Sequence, residues 1–506
     1  MNTIIPTESS SRMVEQPLLS PVQALPSEEY TVKTMPNILG SLNMTAIYLI
    51  AVFFIVNAVT AASGGAAAFT YLALGAVVFF IPCAIVTAQL GVLHPHEGSL
   101  YNWTHRALGG YWSFFIGFCA WFPGVLVIVA GADIVVSYMQ GLNSNWLVQP
   151  WEQGLALAVI VVLTTVIALQ RAHVLSLMAN FTMGVIGLAV LLVGLAGVVW
   201  LLKGNASMTD FRQVAGWGMN SGNIGLFGLI TLAYLGTEVP LNMAGEMRRM
   251  PNKTHIVKSH LFWGTVLVLV GYFIATWAIL VTQGSAASNI GGYAVVGTVD
   301  MALGHVVSGI VAVCIMTFFV MVPAFYSVTF SRLLLVGGID QRLPMKIARL
   351  NKNRVPAGAI ILQAVIALIF TILAFLVIPY IGSFGIKPAD LSIDVYNVSQ
   401  ATATLVWAIS SAFFFINMVV FYRHDKQAFR NQRVVPMPIL WLCCVIGPLA
   451  CLLAIIDTIK NSWIPQISND HWWWIVSGIT VALLIIAAVG SMVASSEASW
   501  QTAQEA

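Results

Sequence analysis

The sequence predicts an all-α polytopic membrane protein with twelve transmembrane helices: a five-plus-five inverted repeat in which helices 1 and 6 are broken, followed by two extra helices. Three observations lead there. The 506-residue chain is 59% hydrophobic and only 8% charged, whereas a soluble domain carries about 25% charged residues. Its apolar residues gather into stretches long enough to cross a bilayer, which takes about 20 residues. The first and sixth stretches are both interrupted, and interruptions at corresponding positions of two halves point to a binding site near the midplane.

Taken in order, the twelve stretches are 40–64, 66–92, 109–140, 153–170, 175–202, 222–248, 259–283, 300–336, 356–381, 395–422, 436–460 and 472–494. The third and eighth are long enough to run strongly tilted. Along this path only Lys203, Arg212, Lys387 and Lys460 of the 22 Lys and Arg residues fall on one side, and the remaining 18 fall on the other. Lys and Arg collect on the cytoplasmic side, so both termini are expected inside, in the plasma membrane or bacterial inner membrane. Residues 1–35, rich in Ser, Pro and Glu, read as a disordered cytosolic tail, because the first apolar run begins only near Leu42. The transporter domain is expected over 36–495, with repeats at about 40–202 and 222–422 and the extra helices in 436–494; a short cytosolic tail, 496–506, follows.

The sixth stretch holds the most informative residues. Gly236-Thr237-Glu238-Val239-Pro240 puts a glycine, a carboxylate and a proline into an apolar run. A carboxylate at membrane depth is costly and marks a cavity, a partner or a transported ion, and proline breaks a helix. Glu238 is therefore the candidate for proton coupling, with Gly236 and Thr237 as candidate substrate contacts. In the first stretch, Asn57, Thr60, Ser63, Gly64 and Gly65 make a poor lipid-facing helix and form the matching candidate break. Freed amides suit a carboxylate and freed carbonyls an ammonium, so the pair of breaks fits an amino acid. Tyr234 and Trp407 are candidate aromatic contacts. Glu246 and Arg332, beside the basic side, are candidate gate residues. Asp133, Asp300, His305 and Asp457 lie toward the outer span ends and read as solvated or paired charge. Trp472-Trp473-Trp474 reads as an interfacial anchor.

The six cysteines fall inside predicted spans with neither disulfide nor metal-ligand spacing, so no cofactor and no metal are expected. The net charge of +3 carries no sign of a nucleic-acid partner. No Ser/His/Asp cluster supports a membrane-embedded enzyme, and no filter motif supports a channel. A non-transporting sensor of the same fold is the remaining alternative.

Four stretches resemble the amino acid–polyamine–organocation superfamily, over essentially all twelve spans. They are Pro82 to Tyr101, with Glu97-Gly98-Ser99; Leu235 to Glu238 followed by Gly245-Glu246-Met247 and Pro251; Ser331-Arg332 with Asp340 to Pro344 and Asn351 to Pro356; and Tyr422-Arg423 through Val435-Pro436. The Phe80-Ile81-Pro82 run and the eight-residue spacing of Glu238 and Glu246 are most similar to the bacterial glutamate/GABA antiporter branch. The resemblance implies alternating access by a secondary transporter of amino acids or close amines, as antiporter or proton symporter, a monomer or homodimer in the lipid bilayer. Val56 and Val322 stand where the similar glutamate/GABA antiporters carry an aromatic and a carboxylate, and Leu232 where arginine/agmatine antiporters carry a tryptophan. Glu238 is then expected to be the one carboxylate deep in the site, favouring a neutral or zwitterionic substrate and a single proton switch.

Overall fold

The computed structural model describes residues 25–248, 253–381, 388–463 and 467–505. Residues 1–24 of the expected tail, Arg249 and Pro251 of the sixth-stretch motif, and Lys387 lie outside them. Ten of the described helices are long and apolar enough to cross a membrane, and the bent pair Ser41–Val52 and Val56–Ala62 makes an eleventh. The sixth stretch begins as a short helix, Leu226–Leu232, and continues in 3-10 turns at Val239–Asn242 and Ala244–Glu246.

Hydrogen bonds between loops sort the connections onto two ends of the bundle. At the N-terminal end, the Ile38 and Leu39 N–H groups donate to the Glu246 carbonyl at 2.9 and 3.0 Å. Asn353 donates to the Leu169 carbonyl at 2.9 Å. At the opposite end, Tyr138 donates to the Gly292 carbonyl at 2.9 Å, and Met208 N–H to the Val281 carbonyl at 2.9 Å. The helix faces between these ends that stay uncovered are apolar, as at Val159, Leu191 and Met492. These are the lipid-facing sides of a membrane bundle.

Two long helices, Gly110–Leu142 and His305–Ile339, pack along each other. Small residues set their separation, the usual device where lipid supplies no hydrophobic drive between helices. A Cβ on Gly124 would fall 2.6 Å from the Phe330 ring, and one on Gly131 would fall 2.9 Å from Pro323. The eighth span starts later than the sequence predicts. Ala294–Leu303 is a separate short helix, and Gly304 at φ +86° turns the chain into the long one.

The first break is displaced from its expected place. The helix bends by 46° between Val52 and Val56, and Asn57 to Ala62 are helical. The small residues signalled packing instead, since Ala58, Ala61 and Ala62 are buried. Gly64 lets the Leu226 side chain approach to 2.5 Å of where a Cβ would stand, and Gly65 turns at φ +57°. The bend is held from outside. Tyr272 Oη accepts from Phe54 N–H at 3.1 Å and donates to the Val52 carbonyl at 3.2 Å, and Tyr326 Oη donates to the Ala51 carbonyl at 2.5 Å.

The second break lies where the sequence places it, but no α-helix resumes after it. Gly236 takes φ +106°, and Pro240 contributes no N–H. The peptide groups beyond bond to other segments. Gly98 N–H donates to the Asn242 carbonyl at 2.8 Å, Ser99 Oγ to the Leu241 carbonyl at 2.5 Å, and Gly245 N–H to Glu97 Oε2 at 2.9 Å. Backbone groups served this way leave only tight i→i+3 turns in between.

The ends of the chain differ from expectation as well. Pro26–Thr34 is a helix seated on the N-terminal end of the bundle. Ser27 donates through its N–H and its hydroxyl to Asp340, at 3.0 Å each. Arg106 reaches Glu28 with two nitrogens at 2.9 and 2.6 Å. Burial opposes ionisation of Glu28. The Arg106 hydrogen bond and the charges of His96 and Arg106 outweigh it and hold the carboxyl below its ordinary value. At the other terminus, the last helix runs unbroken from Asn469 to Glu505.

Gly236 is the tightest conformational requirement at the breaks. A Cβ there would meet the Ala51 carbonyl at 3.4 Å and Trp407 at 3.6 Å in a backbone region that L residues rarely adopt. Gly236→Ala is expected to cost about 1–3 kcal/mol, read as a lower thermal midpoint of the purified protein. An unchanged midpoint would show that the break tolerates a side chain.

Candidate functional site

The two breaks meet at the floor of a cavity of about 500 Å³. Its walls come from the first span (Phe54, Val56, Asn57, Thr60), the Gly110–Leu142 helix, the Leu226–Leu232 helix with Ala233 and Leu235, Tyr326, and the Pro388–His424 helix (Tyr396, Gln400, Thr404, Trp407). Pro123, Val127, Ala130, Asp133 and Ser137 share a wall because they recur every three or four residues along one helix face. The cavity opens toward the opposite end of the bundle, where its lining residues Thr60 and Gly291 are exposed.

Below the floor the bundle is closed. Glu238 is 1% exposed, and its Oε1 accepts from Trp407 Nε1 at 2.8 Å. Its Oε2 is buried without a hydrogen-bond partner. The other face of Trp407 meets Tyr326 and Phe330 edge-on, at 6.1 and 5.8 Å between ring centres. Thr237, also buried, pairs its hydroxyl with that of Thr87 at 3.2 Å.

Further toward the N-terminal end lies a buried charge cluster. Arg332 donates from Nη2 and Nε to Glu246 Oε1 at 2.6 and 3.1 Å, and its Nε lies 3.4 Å from Glu97 Oε1. All three side chains are at most 1% exposed. Two carboxylates thus face one guanidinium, and Glu97 Oε1 and Glu246 Oε2 receive no hydrogen bond. Glu97 lies in the loop between helices. Burial, then the charge of Glu246, push its carboxyl well above the usual carboxylate range, against the pull of Arg332, the Gly245 N–H and Lys253.

The structure brings Asn57, Thr60 and Trp407 to the cavity wall, with Gly236 packed on Trp407 at its floor. Glu238 stands behind Trp407, and Glu246 and Arg332 form the deeper cluster. Ser63, Gly64 and Gly65 lie at a turn beyond the cavity lining. Tyr234 faces away from it: the ring stacks on Phe80 at 4.6 Å, and its hydroxyl donates to the Leu72 carbonyl at 3.2 Å. Sequence reasoning missed Phe54, Tyr326 and Asp133. Phe54, two residues before Val56, lines the cavity together with it. Asp133 read as a solvated outer charge, yet it lines the cavity. Its register with Pro123, Val127 and Ala130 was the available signal. A second carboxylate, Asp133, therefore lines the cavity, while Glu238 lies buried behind Trp407.

Among the described residues no group of His, Cys, Asp and Glu is placed to hold a metal ion. The arrangement is a binding cavity closed at one end, whose floor is built from helix ends and one tryptophan–carboxylate pair.

Comparison with known proteins agrees with this shape. The chain is 24% identical over 417 residues to an uncharacterized transporter of Legionella pneumophila, covering 78% of this chain and 84% of that one. It is 24% identical over 363 residues to the gamma-aminobutyric acid permease of Bacillus subtilis, covering 69% and 71%. It is 22% identical over 397 residues to the inner membrane transporter YjeM of Escherichia coli, covering 69% and 76%. The model of the family described as amino acid permease matches residues 39–489; the chain belongs to that family and is a transporter, not an enzyme.

Proposed function

We propose that this protein is a secondary active transporter that carries amino acids or closely related amines by alternating access, with Glu238 as its proton-coupling group. The observation that carries the reading is the asymmetry of the cavity. It is open toward one end of the bundle and sealed from the other by the Glu238–Trp407 pair and the Glu97–Arg332–Glu246 cluster. On this reading residues 226–246 are the twelfth crossing, the two breaks belong to inverted repeats, and the structure is an outward-open state with both termini in the cytoplasm. The relatives' names agree in kind: a gamma-aminobutyric acid permease and an inner membrane transporter. Similarity to a probable polyamine transporter of Arabidopsis thaliana, 25% identical over 39% of each chain, widens the amine class. Protein in a bacterial inner membrane, as monomer or homodimer, would serve this role.

On this reading Glu238 connects substrate and proton. A buried carboxylate oxygen with no donor costs free energy, and costs more when the group is charged than when it bears a proton. The partner of its other oxygen, Trp407, forms part of the cavity wall. A substrate displacing the indole would therefore change the setting of the carboxylate.

Purified protein in liposomes should exchange labelled amino acids or amines against a preloaded counter-substrate, or take them up along a proton gradient. No flux across a broad panel overturns the reading. Glu238→Gln is expected to leave the fold intact and to flatten the pH dependence of transport. Transport that keeps its wild-type pH profile removes Glu238 from coupling.

Arg332 and Glu246 take the part of an inner gate. Truncating Arg332 to Met leaves two carboxylates uncompensated, a change of about 3–5 kcal/mol for a buried pair, and should bias the protein toward cytoplasmic opening. Because Glu97 titrates above its ordinary value when the gate is closed, the stabilisation is complete at low pH. It is lost as pH rises through the raised value. The thermal midpoint of wild type should fall over that rise, and Glu97→Gln should remove most of the slope. A slope that survives the substitution assigns it to other groups.

A further inference from the structure

Among the described residues Asp133 is the one charged side chain that lines the cavity, and no Lys, Arg or His does. Among the described residues Asp133 has no hydrogen-bond or ion-pair partner, and its oxygens are not among the buried, unsatisfied ones. They face the open space. A low-dielectric cleft whose acidic group is a carboxyl attracts cations and disfavours anions. Tyr138, Tyr396 and Trp463 line the same cavity, with Phe54, Tyr326 and Trp407 toward its floor, and aromatic faces attract ammonium groups.

The floor favours positive charge as well. The twelve-residue helix Ser41–Val52 ends there; its Ala51 and Val52 carbonyls already accept from Tyr326 and Tyr272, and the C-terminus of a helix remains its negative pole. The distance between floor and carboxylate follows from the packing. Gly124 sits against Phe330, whose ring meets Trp407 at 5.8 Å, so Gly124 marks the level of the floor. Asp133 is nine residues on, about 13 Å of helical rise. Between the two points this helix presents Val127 and Ala130, and the other walls add the aromatic rings together with Asn57, Thr60, Gln400 and Thr404.

We infer that Asp133 is the subsite for a second, distal ammonium group, and that the cavity takes extended aliphatic amines with a cationic nitrogen at each end in preference to acidic amino acids. This rests on the reading of the cavity as the transported substrate's site. One nitrogen lies at the Ser41–Val52 helix end, the other on the Asp133 carboxylate, and the methylene chain runs along Tyr326 and Tyr396.

The test is equilibrium binding to the purified full-length protein, with spermidine, L-alanine and L-glutamate as probes. Wild type should bind spermidine more tightly than L-glutamate. Asp133→Asn should weaken spermidine by about ten- to a hundredfold, the equivalent of one charge-assisted hydrogen bond, and leave L-alanine nearly unchanged. Asp133→Glu should restore most of the loss, which a merely structural role would not predict. Spermidine binding unaffected by Asp133→Asn overturns the proposal, as does tighter binding of L-glutamate to wild type. If Asp133→Asn does not fold, the wild-type order of affinities and Asp133→Glu decide. Binding that depends on Asp133 without flux in liposomes would sink the transport reading and leave the subsite standing. Flux of neutral amino acids without spermidine binding would do the reverse.

Discussion

Peptide groups freed at bilayer depth must find partners inside the protein, and both helix breaks are organised by that need. At the first, Tyr272 serves two groups at once, accepting from Phe54 N–H and donating to the Val52 carbonyl, while Tyr326 serves Ala51. At the second, the loop 97–99 supplies a carboxylate, an amide and a hydroxyl to residues 241–245. Each such group, left alone, would cost about 1–3 kcal/mol. The breaks therefore fix the helices that satisfy them. Tyr272 comes from the Lys253–Thr282 helix and Tyr326 from the His305–Ile339 helix, so the bend in the first span places two further helices around the cavity.

The same loop ties backbone repair to the closed end. Glu97 accepts from Gly245 N–H through one oxygen while the other lies near Arg332. A movement that parts the 94–98 loop from the 239–246 turns thus breaks a backbone bond and a charge contact together. Two carboxylates around one guanidinium cannot all be satisfied as ions in a dry site. Opening such a cluster to water relieves the excess charge, which makes it a sensible place for a closure that must also come undone.

Much of this was legible in the residues. The apolar runs located the helices, and Gly236 and Pro240 located the second break, because each carries a local requirement that survives without tertiary context. The first break was read from Asn57 to Gly65, where small residues cluster. Small residues serve close packing as readily as unwinding, and here Ala58, Ala61 and Gly64 pack. The true bend at Phe53 to Ile55 is apolar and is imposed by Tyr272 and Tyr326, hundreds of positions away in the chain. Tyr234 illustrates the same limit. Its neighbour relations depend on which way the helix turns after Leu232, and that is set by the break it precedes. The helix at Pro26–Thr34 was hidden by its polar composition, since Ser27 and Glu28 act through Asp340 and Arg106 and not through an apolar face.

Three acidic levels follow one another from the open end inward: Asp133 in the cavity wall, Glu238 behind Trp407, and the Glu97–Glu246 pair at Arg332. Their environments assign them different physical tasks. Asp133 faces space and stays available to a cation from outside. Glu238 has one indole donor and one vacant oxygen, so it is sensitive to what occupies the floor. The inner pair is tied to a guanidinium and to backbone, so it responds to the separation of loops. Between the levels lie the buried side chains of Tyr326, Trp407 and Phe330. On the proposed reading, a cation drawn to Asp133 would advance toward the carbonyl end of Ser41–Val52, and its further passage would require the Trp407 indole to yield, which would alter Glu238 before the inner pair is reached.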